Sequence, residues 1–88
     1  MLRVLSECRE RWQIIVNVRF SGGTEHASVT SVAECMQLCL ATATCLAADY
    51  NSDSDQCWIH TNVADLTQTI AATRYRQYLL LNRCENGR

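Results

Sequence analysis

Six cysteines are the residues of this 88-residue chain best equipped for chemistry: Cys8, Cys35, Cys39, Cys45, Cys57 and Cys84. Three of them fall in "ECMQLCLATATC" at the spacing C-x3-C-x5-C. Thiols this close can hold a metal, carry redox or nucleophilic chemistry, or form disulfides. Structural zinc needs four converging ligands, usually with a C-x2–4-C knuckle. The C-x3-C pair with Cys57 and His60 of "CWIH" is a partial match that leaves Cys8 and Cys84 unused. Dithiol redox chemistry uses C-x-x-C, which is absent. A nucleophilic cysteine needs a partnered histidine, and nothing in the sequence sets His26 or His60 beside a thiol. No catalytic residue, metal or cofactor is therefore expected. An even set of cysteines in a short chain reads as a disulfide framework, formed in an oxidising, secreted or extracellular setting.

The elements that position these cysteines follow from hydrophobic period. "RWQIIVNVRF" alternates, with Trp12, Ile14, Val16, Val18 and Phe20 on one face, which predicts a half-buried strand. Gly22 and Gly23 mark a turn. Ser31 stands three residues before Glu34, a capping box. Behind it Val32, Cys35, Met36, Cys39 and Leu40 recur on one helical face, so a helix is expected over about residues 32–42. "CLAADY" and "QCWIHT" read as two strands around the polar turn "NSDSD", and "TRYRQYLLLNRC" as a last strand. The expected class is α+β, one helix on an antiparallel sheet.

Cys35 and Cys39 lie one turn apart on the buried helix face. With the hairpin turn centred on Asp53, Asp49 stands opposite Cys57 and Thr61 opposite Cys45. Cys45, Ala47, Cys57 and Ile59 then face the helix, with Asp49 on the same side. In that register Cys45 and Cys57 are about 13 Å apart along the ladder, too far for a disulfide, whose Cα atoms stand ~4.4–6.8 Å apart. Order along the two elements favours Cys39–Cys45 and Cys35–Cys57, leaving Cys8–Cys84 to tie the first strand to the last. Loop-closure entropy assigns about 2.4 kcal/mol to the Cys39–Cys45 loop and about 4.5 kcal/mol to the Cys8–Cys84 loop, without additivity for nested loops.

With this pattern assembled, "SVAECMQLCLATATCLAADYNSDSDQCWIH" resembles the core of a PAN/apple module, and Cys8 and Cys84 sit where that family places its outer pair. The resemblance implies a small disulfide-rich domain with about five antiparallel strands cradling one helix, over residues 8–84. Residues 1–7 would be an N-terminal extension and 85–88 a tail. It also implies the pairing Cys8–Cys84, Cys35–Cys57 and Cys39–Cys45. It implies a non-catalytic extracellular module of a larger secreted or cell-surface protein, binding a protein or carbohydrate. The alternative is a structural unit packing on neighbouring domains or on copies of itself in a matrix or filament.

The binding residues are sought among exposed polar and aromatic groups. Arg74 and Arg76 are two apart on the last strand and share a face. Arg19 falls near Thr73 if Cys8 opposite Cys84 sets the pairing. Together they would suit an anionic glycan or a carboxylate. Trp58 is placed on the face away from the helix with Leu46, Ala48 and Tyr50, where an apolar patch would bind or be covered. His60 is expected on that face too, as a surface histidine or a polar contact. Trp12 reads as core. Asp49, Asn51, Asp53 and Asp55 open like an EF-hand loop, but Ser54 and His60 replace the glycine and glutamate it needs, so a polar turn is the reading. A net charge of −1 gives no global pull toward nucleic acid. No apolar run approaches the roughly 20 residues that span a bilayer, so no membrane insertion is expected.

Overall fold

The computed structural model describes residues 10–83. Cys8 and Cys84 lie outside the described residues, and with them the expected Cys8–Cys84 pairing, extension and tail.

Five strands and one α-helix follow in order: β1 (Arg11–Phe20), β2 (Thr24–Glu25), α1 (Val32–Ala41), β3 (Ala47–Asn51), β4 (Gln56–His60) and β5 (Thr69–Asn82). A 3-10 turn, Val63–Thr67, separates β4 from β5. The strands form one antiparallel sheet in the order β1-β5-β3-β4-β2. The class is α+β, a five-stranded antiparallel sheet with one helix. β5 is the longest strand, with 14 residues.

Helix α1 starts where the capping box sets it. The Ser31 side chain accepts from Glu34 N at 3.2 Å, and Glu34 Oε1 accepts from Thr30 N at 3.2 Å. At the other end the Thr42 N–H returns to Leu38 O and Cys39 O. A cation from across the domain meets this end as well. The Arg83 guanidinium donates to Leu40 O at 2.8 Å and to Cys45 O at 2.7 Å. A cation at a helix C-terminus also opposes the negative end of the helix dipole. The helix packs on β3 and β4, and the disulfides Cys35–Cys57 and Cys39–Cys45 fasten it there, with Cα separations of 5.7 and 5.2 Å. Cys35, Cys39, Cys45, Ala48, Tyr50, Cys57, Ile59 and Tyr78 make the core, with half-buried Trp12 and Leu80 against it.

The β3–β4 register differs from the expectation by one residue. Tyr50, not Asp49, stands opposite Cys57, and Asp49 stands opposite Trp58. The reason is the turn. Asp55 takes a positive φ of 55°, while Asn51 Oδ1 accepts from Asp53 N and Ser54 N. This closes a loop of residues 52–55 between Asn51 and Gln56 rather than a turn symmetric about Asp53. Because side chains alternate, the slip reverses β3. Ala48 and Tyr50 face the helix, and Asp49 faces away with Trp58 and His60.

The β1–β5 ladder also departs from a single register. Trp12 opposite Leu80 and Val16 opposite Arg76 keep the pairing that Cys8 opposite Cys84 would set. Beyond Val16 the register shifts, so Val18 meets Ala71 and Arg19 meets Ile70 instead of Thr73. Asn17 and Arg74, at φ 63° and 76°, absorb this irregularity. The ribbon bends there, and its end lies over the sheet face opposite the helix: Phe20 N donates to Asp49 Oδ2 at 2.9 Å.

Candidate binding surface

Burial first removes two residues from the expected set. Tyr50 is buried among the core residues, and its hydroxyl lies 2.8 Å from both Thr30 O and Asp55 Oδ1. Burial, followed by the bond and the charge of Asp55, pushes its pKa from 10.0 up to about 12. The fold holds this proton more tightly than the unfolded chain does. The contribution of Tyr50 to stability is therefore complete below pH 10 and is lost as pH rises through about 12. In an alkaline titration followed by phenolate absorbance, one tyrosine ionises only near pH 12 in wild type, and Tyr50→Phe removes that step. Ionisation of every tyrosine near pH 10 in the folded chain would contradict this assignment.

His60 is not at the surface either. It is fully buried beside Asp49, with Nε2 at 2.7 Å from Asp49 Oδ2 and Nδ1 at 3.5 Å from Asp65 Oδ2. The Phe20 ring meets it edge-on at 5.4 Å between centroids. Gly23 closes over the imidazole so tightly that a Cβ there would lie 2.7 Å from His60 Cε1, and its φ of 91° suits glycine alone. The apolar patch expected around Tyr50 and Trp58 does not form, because Ala48 and Tyr50 turn to the helix. Trp58 is half-buried and stands apart from the arginines, between Asp49 and Glu25.

The arginines converge. The irregularity in the β1–β5 ladder opens a groove of about 420 Å³. Residues 73–76 of β5 line it, with Val16 and Asn17 of β1 and Ser52 from the β3–β4 turn. Arg74 and Arg76 are both exposed. Arg74 Nη1 approaches Asp53 Oδ1 at 3.9 Å, but both side chains are largely solvated, so this pair holds the arginine weakly. Ser52 is fixed by its N–H and hydroxyl, which donate to Arg74 O at 3.0 and 3.3 Å. Arg19 does not line the groove. Its guanidinium stands 5.7 Å from the centroid of the Tyr75 ring, a cation–π contact that steadies a residue of the lining.

Two exposed arginines, a serine and a tyrosine lining one groove suit a ligand bearing sulfate or carboxylate. Guanidinium forks match planar or tetrahedral oxyanions. Asn17, Ser52, Thr73 and Tyr75 were not singled out in the sequence. An asparagine inside the apolar run "IIVNVRF" was the available signal, since asparagine is depleted in strands and enriched at positive φ. Among the described residues no group of three His, Cys, Asp or Glu side chains is placed to hold a metal. No helix among them is long and apolar enough to cross a membrane.

A family model described as the PAN domain matches residues 8–84. No curated protein matches the chain at a significant level. No solved structure does so either.

Proposed function

Because the chain belongs to the PAN domain family, whose members serve as protein- or carbohydrate-binding modules in larger proteins, we propose that it is a non-catalytic extracellular recognition module whose ligand presents an anionic group to the groove at the β1–β5 irregularity. The observation that carries this reading is the convergence of Arg74 and Arg76 on one groove with Ser52 and Tyr75. Disulfide-fastened packing fits work outside the cell. The site suits an anionic glycan, such as a sulfated oligosaccharide, better than a neutral sugar. The net charge of −1 means that attraction comes from this local pair and not from the whole molecule.

Calorimetric titration with a sulfated heparin oligosaccharide tests the reading. Wild type binds, and binding weakens as salt is raised. Replacing Arg74 and Arg76 together by alanine lowers affinity by about tenfold or more, since a charge-assisted hydrogen bond contributes about 1.5–3 kcal/mol. The doubly substituted chain keeps its unfolding midpoint, because both side chains are exposed. Equal affinity of wild type and double variant would overturn the assignment of the groove.

A further inference from the structure

We propose that the outer edge of β1 is a self-association surface, pairing antiparallel with β1 of a second copy of this chain about a two-fold axis at Ile14. β1 ends the sheet. An edge strand offers a row of N–H and C=O groups to another strand, and proteins usually guard such edges with charges, proline or short length. β1 has ten residues and neither proline nor charge between Trp12 and Val18. Ile14 and Val16 are 54 % and 55 % exposed, and Ile15 39 %. Ile14 and Val16 stand on the helix side, beside Tyr78 and Arg76 of β5, but the helix packs chiefly on β3 and β4 and leaves both side chains more than half exposed.

The pattern of β1 selects a second copy as the occupant. Register irregularities between Arg11 and Trp12 and between Val16 and Val18 leave residues 12–16 as the regular stretch. Its centre is Ile14. Two antiparallel strands related by a two-fold axis place one residue opposite itself and pair the rest symmetrically. With Ile14 on the axis, Trp12 meets Val16 of the second copy, Gln13 meets Ile15, and the two regular stretches overlap in full. Trp12, Ile14 and Val16 of both copies then form one continuous apolar strip. Moving the axis to Ile15 sets Arg11 against Arg19, and like charges directly opposed destabilise a ladder. Moving it to Gln13 sets Arg11 against Ile15 and Glu10 against Val16. Such a short pairing buries less than the ~1,200 Å² of a standard interface. The association is therefore weak and concentration-dependent, and it strengthens when several modules are linked.

Sedimentation equilibrium over a concentration series tests this. Wild type rises from monomer mass toward twice that mass with concentration. Ile14→Lys places like charges against each other on the axis and weakens association by tenfold or more. Ile14→Glu does the same. An equimolar mixture of the two variants associates again, because opposite charges then meet. Val63→Lys alters another exposed apolar side chain, outside β1, and changes nothing. Wild type remaining monomeric at millimolar concentration would overturn the proposal. So would unaltered association of Ile14→Lys, or a mixture that stays monomeric. Circular dichroism of each variant checks that it folds. If the Ile14 variants fail to fold, Gln13→Lys replaces them: it sets a charge against Ile15 of the second copy and weakens association, and unaltered association would overturn the proposal.

Discussion

His60→Ala lowers the stability of the domain by about 3–5 kcal/mol, and Asp49→Ala does so by a similar amount. Removing one member of a buried ionisable pair costs about this much, because the other is left without its partner away from water. Asp49 and His60 are both fully buried, 2.7 Å apart. Asp49 also accepts from the Phe20 N–H, so its carboxylate joins the bent end of β1 to the centre of the sheet. His60 carries the Phe20 ring on one side and the close approach of Gly23 on another. Truncating it empties a volume that these neighbours cannot fill without moving. The two effects overlap, so the double variant Asp49→Ala, His60→Ala loses less than the sum of the singles. Urea denaturation of the four chains measures this. Single losses under about 1 kcal/mol, in the range of ordinary surface substitutions, would mean that the pair does not hold the second face of the sheet.

Replacing Cys35 and Cys57 together by alanine removes about 3 kcal/mol through loop-closure entropy alone, for a sequence separation of 22. Both sulfurs are buried at the centre of the helix–sheet contact, so lost packing adds to the entropic loss. Helix α1 has only ten residues, too few to be stable by itself. Without the bridge it keeps Cys39–Cys45 at its far end, and its first turns are released. The Thr30–Tyr50 bond beside that first turn weakens with them. Hydrogen exchange on the alanine variant shows the amides of residues 34–37 losing protection before those of β3 and β5. Uniform loss across helix and sheet would show instead that the bridge supports the whole domain as one unit.

Much of this arrangement was legible in the sequence, and the failures have local causes. The helix was legible because Ser31 and Glu34 define its start and its apolar face repeats without interruption. The two disulfides were legible although the β3–β4 register was not. Cys45 precedes β3 and is placed by the turn after the helix, so a slip in the ladder does not move it. The slip itself came from Asp55, which takes a left-handed conformation with no glycine to announce it. That one residue sent Tyr50 into the core and Asp49 to the opposite face. Burial of His60 was hidden for a different reason. Nothing near "CWIH" shows that Phe20, Gly23 and Asp65 will close over it, because the bend bringing Phe20 there begins at Asn17 and Arg74. The same bend makes the groove. Arg74 and Arg76 could be chosen from sequence as a pair, but the surface between them could not.

The most direct test of the groove is a two-dimensional amide NMR titration of the wild-type domain with a sulfated heparin oligosaccharide. The account predicts shift changes concentrated at Asn17, Ser52 and residues 73–76, with the Arg74 and Arg76 side-chain signals moving alongside them. Changes centred instead on Trp58 and Glu25, or spread evenly over the surface, would contradict recognition at the β1–β5 irregularity.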